Sequence, residues 1–160
     1  MSKLYLLRHG ESFANRANVF SGWLDVGLTV KGIQEAQKTG RLLKGVKFDE
    51  VYTSQLSRAS MTAMIILSEN DNIFFPVMEH KSTAKQNKYH YSFPATYKST
   101  TRIIQDERLN ERFYGELQGR SVEQSKKFLQ NNNDSLWSLS FSEFLTAEKL
   151  KTTIKRTKSF

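Results

Sequence analysis

Over its first 77 residues this sequence alternates between strand-like and helix-like hydrophobic patterns, and that alternation limits the folds open to it. Lys3 to Arg8 reads as a short buried strand, and Gly10 punctuates it. Thr29 is placed to cap a helix running to about Lys44, with Ile33, Ala36, Leu42 and Leu43 near helical spacing and Gly45 as its stop. Phe48 to Thr53 reads as a second strand, and Ser57 as the cap of a second helix with Ala59, Ala63 and Ile66 inward. After the turn Asn70-Asp71-Asn72, Ile73 to Val77 reads as a third strand. Strand, helix, strand, helix, strand predicts an α/β fold with a parallel sheet, because parallel neighbours need a crossover that a helix supplies.

The rest of the chain is less regular. Residues 80–105 hold five lysines or arginines and no acidic residue, with Tyr89, Tyr91, Phe93 and Tyr97 interleaved and no clean strand or helix period. They read as a solvated loop or insertion. The competing reading is a basic, aromatic patch that touches nucleic acid or an acidic partner. Motif density returns at 107–122. Residues 123–160 read as a polar tail without chemistry, broken at Asn131-Asn132-Asn133-Asp134. Ser140 and Glu143 could form a capping box there, ahead of Phe144, Ala147, Leu150 and Ile154 on one helical face.

Composition narrows the function. With 160 residues and 38% hydrophobic content the chain suits one domain. No apolar run reaches the 18 residues of a membrane span, and Arg8 interrupts the short apolar start, so neither a membrane helix nor a signal peptide is expected; the expected location is cytoplasmic. The absence of cysteine removes disulfides, thiolate metal sites and cysteine nucleophiles. His9, His80 and His90 are the only histidines, and none has metal-ligand spacing, so no metal is expected. The net charge of +8 suits an anionic small-molecule partner; nucleic acid is not the expected partner, for want of any helix-turn-helix, RNP or zinc-finger pattern.

Chemistry concentrates at Arg8-His9-Gly10-Glu11. A histidine at the carboxyl end of a first parallel strand lies where open α/β sheets hold ligands. A neutral imidazole with one ring nitrogen oriented can attack a phosphoryl group. Gly10 would let a phosphate approach the backbone, and Arg8 offers a planar donor fork. Arg58 falls at a helix N-terminus, a place suited to anions, and Glu111 is available for proton transfer. The alternative is a core histidine beside a strand-end arginine.

Several segments in order resemble the cofactor-dependent phosphoglycerate mutases of the histidine phosphatase superfamily. These are Leu7-Arg8-His9-Gly10-Glu11-Ser12, Asn15, Phe20-Ser21-Gly22-Trp23, Lys31-Gly32, Tyr52-Thr53-Ser54 with Arg58, and Leu109-Asn110-Glu111-Arg112-Phe113-Tyr114-Gly115 with Leu117-Gln118-Gly119. The match covers a little over half of the chain. It implies a three-layer sandwich with a mostly parallel sheet, here incomplete: one partial domain over 1–160, with 78–106 an insertion or loop and 123–160 a divergent tail. It implies that His9 becomes a phosphohistidine and passes the phosphoryl group between positions 2 and 3 of a glycerate in glycolysis. Arg8 and Arg58 would hold phosphoryl oxygens, and Glu111 would serve as general acid and base. Asn15, Ser21, Gly22, Arg112 and Tyr114 would line the substrate site. The phosphoryl primer would be 2,3-bisphosphoglycerate, and the assembly would be a homodimer or larger.

The chain also departs from that pattern. The family's second active-site histidine, on a later strand that pairs with the first, has no counterpart, since no histidine follows His90. Val122 stands where the family has a substrate lysine, and Trp137 is followed by Ser138 and Leu139 instead of an arginine pair. The expectation is a first strand with an open edge, in either a shortened product of a mutase gene or a divergent paralogue. Three readings follow. The first is a mutase, intact or impaired, which the Glu111–Gly115 motif favours. The others are a histidine-type phosphatase and a non-catalytic phosphate-binding paralogue with a basic interaction surface.

Overall fold

The computed structural model describes residues 2–72, 76–79, 101–131 and 147–160. Their elements are α1 (Phe13–Arg16), α2 (Val30–Leu42), β1 (Val51–Thr53), α3 (Ser57–Ser68), β2 (Val77–Glu79), β3 (Arg102–Gln105), α4 (Val122–Asn131) and α5 (Leu150–Lys158). Single 3₁₀ turns at Glu107–Leu109 and Gly115–Leu117 flank the second motif. The basic, aromatic stretch up to residue 100, with His80 and His90, lies outside the described residues, as does the capping box expected at Ser140.

The sheet has the order β1-β3-β2, and both pairings are parallel, with Val51 opposite Ile103 and Val77 opposite Arg102. Strand β1 keeps only the end of the expected Phe48–Thr53 run; of the expected Ile73–Val77 strand, residues 73–75 lie outside the described residues, and β2 spans Val77–Glu79. The central strand, β3, lies at the end of the stretch that showed no strand period. Alternation marks a strand with one wet face; Ile103, with no exposure at all, packs with Leu67, Phe48, Val51, Ala63 and Met78.

The two long helices begin differently. Thr29 caps α2 as expected, its side chain accepting from the amide of Gly32. Ser57 is not the cap of α3 but its first residue, after Leu56. Its amide and hydroxyl both donate to Asp25, at 2.6 and 2.8 Å, so a carboxylate 32 residues upstream does the capping. Helix α4 was not anticipated, although Ser121 and Gln124 form a reciprocal capping box at its start. Its Leu129 joins Leu117 and Ala147 in a second small core.

The expected first strand is absent from the described sheet. Leu4 and Leu6 are 83% and 84% exposed, and β1 is hydrogen-bonded to β3 alone. A strand exists only where a neighbour satisfies its backbone groups. Here a cleft of about 1600 Å³ opens instead, lined by residues 2–9 on one side and β1 with the loop before it on the other. An edge contact between the Tyr5 and Phe48 rings, 5.6 Å between centroids, ties the segment to the body.

Candidate active site

His9 stands at the end of this segment, half-buried at the cleft. Its Nδ1 is 2.7 Å from the carbonyl oxygen of Gly10. A carbonyl can only accept, so Nδ1 carries the proton and the neutral ring presents the Nε2 lone pair. Burial, the strongest influence, lowers the His9 pKa; the Gly10 bond opposes it, and the charges of Arg58 and Arg8 lower it further against the pull of Glu111. The net effect favours a neutral imidazole, the nucleophilic form.

The turn after His9 is fixed by groups with no motif of their own. The Gly10 amide donates to Thr62 Oγ1 at 3.1 Å, and that hydroxyl donates to the Arg58 carbonyl at 2.7 Å. Gly10 is needed here for a reason other than phosphate approach. A Cβ at Gly10 would stand 2.3 Å from the carbonyl oxygen of Gly32, and one at Gly32 would stand 2.1 Å from that of Glu11. The first turn of α2 therefore lies directly against the backbone after His9. Glu11 receives the Thr29 hydroxyl at 2.7 Å and Lys31 at 3.1 Å, which together hold its carboxyl below the usual range.

Arg58 is the centre of the site's polar network. Only 1% exposed, it donates to the carbonyls of Gly22 (2.7 Å) and Leu24 (3.0 Å) and to the Glu111 carboxylate (2.8 Å). Such an arrangement is stable because every buried charge has partners. Ser21 Oγ lies 3.5 Å from the same carboxylate, and the Trp23 indole N–H donates to the Glu111 carbonyl at 2.7 Å. Gly22 has φ +48°, a conformation that disfavours other residues, and packs against Gln118. Gln118 Oε1 accepts from the amides of Trp23 (2.7 Å) and Tyr114 (3.4 Å), joining the two motifs. Burial raises the Tyr114 phenol pKa.

His9, Arg8, Asn15, Ser21, Arg58, Glu111 and Tyr114 all face the one cleft. Asn15 is also engaged in capping α1 through Ser12. Gly22 reaches the site through its carbonyl, and Arg112 is turned to the carbonyl of Glu148, 2.8 Å from its Nε. The sequence reading missed Thr62 and Asp25, gave Gln118 a place in a motif but no role, and also missed Glu148 and Arg156, which bind the Glu111 loop. Among the described residues, no group of three or more His, Asp or Glu could hold a metal ion, and no helix is long and apolar enough to cross a membrane.

The family model of the histidine phosphatase superfamily (branch 1) matches residues 4–81. A 2,3-bisphosphoglycerate-dependent phosphoglycerate mutase from Methanococcus vannielii is 38% identical over 98% of this chain and 67% of its own length. The chain belongs to the phosphoglycerate mutase family of the histidine phosphatase superfamily. The fold of phosphoglycerate mutase from Bacillus anthracis matches with a TM-score of 0.69 over 94% of this chain and 62% of that one, at 19% identity. An alpha-ribazole phosphatase from Shigella flexneri matches with a TM-score of 0.65 over 96% and 62%, at 26% identity. The chain thus spans about two thirds of the length of the family members it matches.

Proposed function

We propose that this chain acts on phosphoglycerates by accepting a phosphoryl group on His9. The observation that carries the reading is the orientation of His9: Nδ1 is tied to the Gly10 carbonyl, Nε2 has no hydrogen bond among the described residues, and the ring's pKa is lowered within a cleft that also holds Arg8, Arg58 and Glu111. 2,3-Bisphosphoglycerate would supply the priming phosphoryl group. Its charge suits the cleft's two arginines and the chain's net charge of +8.

In this reading Nε2 forms the new bond to phosphorus while the bond from phosphorus to the glycerate oxygen breaks. Glu111 gives the departing oxygen a proton and takes one from the hydroxyl that is phosphorylated in return. Its side chain is 38% exposed, so substrate can reach it. Arg8, exposed beside His9, holds phosphoryl oxygens directly. Arg58 serves first by orienting Glu111 and adding positive potential, since its donors already meet Gly22, Leu24 and Glu111. Asn15, Ser21 and Tyr114 line the substrate's approach.

Incubation with 2,3-bisphosphoglycerate followed by intact-mass analysis tests the proposal. One added phosphoryl group, absent in His9→Ala, is the expected result; an unchanged mass in the unmutated protein would sink it. A second reading, phosphatase activity, is favoured by the likeness to the alpha-ribazole phosphatase. It would show as inorganic phosphate released without exchange between positions 2 and 3.

A further inference from the structure

The C-terminal segment showed no chemistry in its sequence, yet it grips the loop that carries Glu111 from both sides. Arg156 Nη1 donates to the carbonyls of Glu107 (3.2 Å), Arg108 (2.8 Å) and Asn110 (2.9 Å). Its Nη2 donates to the Glu111 carbonyl at 3.4 Å. The same guanidinium pairs in a two-pronged bond with the Glu148 carboxylate, Nε to Oε1 at 3.0 Å and Nη2 to Oε2 at 2.9 Å. Glu148 then meets the other side of Glu111: its amide donates to the Phe113 carbonyl (2.8 Å), its carboxylate accepts from the Phe113 amide (3.3 Å), and its carbonyl accepts from Arg112 Nε (2.8 Å). Both side chains of the pair are largely buried, at 15% and 11% exposure.

These contacts matter because residues 110–114 form neither helix nor strand. No regular ladder sets their course. Arg156 collects carbonyls from within and just after the turn Glu107–Leu109; that of Glu107 also accepts the Asn110 amide at 2.9 Å. Burial alone would raise the Glu148 pKa, but the bonds from Arg156, Phe113 and Thr153 outweigh it, and the carboxyl is held below its usual range. A charged, bidentate pair of this kind fixes both distance and angle.

We propose that Arg156 and Glu148 form a latch that positions Glu111 for proton transfer, so that α5 governs the competence of a site none of whose reacting groups it supplies. The proposal rests on the reading of Glu111 as the proton carrier. It requires that breaking the latch slow the chemical step and leave affinity for the phosphorylated substrate little changed.

Two measurements on the full chain test it. The first is single-turnover phosphorylation of His9 at a series of 2,3-bisphosphoglycerate concentrations. Arg156→Met should lower the limiting rate by on the order of 100-fold, as small misplacements of a reacting group do, with the half-saturating concentration changed less than about threefold. Arg156→Lys should recover part of that rate and Glu148→Gln should lose part. The second is 19F NMR of protein carrying 5-fluorotryptophan. The Trp23 indole binds the Glu111 carbonyl, so its resonance, assigned with Trp23→Phe, reports the loop without requiring any reaction. It should shift or broaden in Arg156→Met and return toward its place in Arg156→Lys. If Arg156→Met does not fold, Arg156→Lys and Glu148→Gln carry both measurements. An unmoved Trp23 resonance in the folded variants would overturn the latch, as would a limiting rate equal to that of the unmutated protein. If the unmutated protein takes no phosphoryl group at all, the proposed function fails and the Trp23 signal alone decides the latch.

Discussion

Gly32→Ala sets helix propensity against packing, and the structure says which wins. By propensity the change should help, because alanine is better than glycine in a helix by about 1 kcal/mol, and less in the first turn, where Gly32 sits. The added Cβ, however, would lie 2.1, 2.8 and 2.9 Å from the carbonyl oxygen, amide nitrogen and carbonyl carbon of Glu11. All three are backbone atoms, so no side chain can rotate out of the way. Real Cβ atoms essentially never come within 3.0 Å of such neighbours, so α2 must retreat by nearly 1 Å. Overpacking of this kind costs about 1–3 kcal/mol. The retreat also strains the bonds from the Thr29 amide (2.9 Å) and hydroxyl (2.7 Å) to Glu11, worth about 1 kcal/mol each. The net expectation is destabilisation by about 2–4 kcal/mol. With a urea slope of about 2 kcal/mol per molar, the unfolding midpoint should fall by about 1–2 M. Gly45→Ala is the control: a Cβ there meets nothing within 4 Å, so its midpoint should barely move. A Gly32→Ala protein as stable as the unmutated one, measured beside that control, would refute the packing argument.

Three further outcomes are expected. The lowered His9 pKa extends the neutral form of the ring to a pH below the ordinary 6.5, so the acid limb of His9 phosphorylation should lie below that value, as a pH–rate profile would show. The matching effect on stability has a definite sign. Below 6.5 the unfolded histidine binds a proton that the folded one resists, so His9 costs stability as pH falls through 6.5 and toward its folded pKa. His9→Gln should reduce that slope in urea titrations between about pH 5 and 7. Separately, Thr62→Val removes the acceptor of the Gly10 amide while keeping the shape of the side chain. It should cost about 1–3 kcal/mol and speed hydrogen exchange at Gly10, and unchanged exchange there would show that the bond does not hold the turn.

The latch and the His9 turn share a design. In each, a side chain proposed to react stands on irregular backbone, and groups from distant parts of the chain hold that backbone in place. The His9 turn is held by Thr62 from α3 and by the close pass of α2. The Glu111 loop is held by Trp23, Glu148 and Arg156. Arg58 joins the two halves, its main chain bonded to Thr62 and its side chain to Glu111.

The parts of this protein whose physics is local are legible in its residues. Thr29 and the glycine three residues on specify the start of α2 within a single turn of chain. The Ser-Val-Glu-Gln box that starts α4 was equally local, and it was legible though overlooked. The Arg8-His9-Gly10 and Asn110–Gly115 motifs carry the groups proposed to react, residue types suited to phosphoryl chemistry. How they are held depends on contacts between distant segments. Asp25 caps α3 across 32 residues, Arg58 meets Glu111 across 53, and Gln118 meets Trp23 across 95, separations at which no hydrophobic period or cap signal reaches. The sheet follows the same rule. Residues 3–8 have the composition of a strand, but pairing is a property of two segments, and β1, across the cleft, takes β3 instead. Ile103, in a segment with no period at all, became the centre of the core because three other elements happened to enclose it.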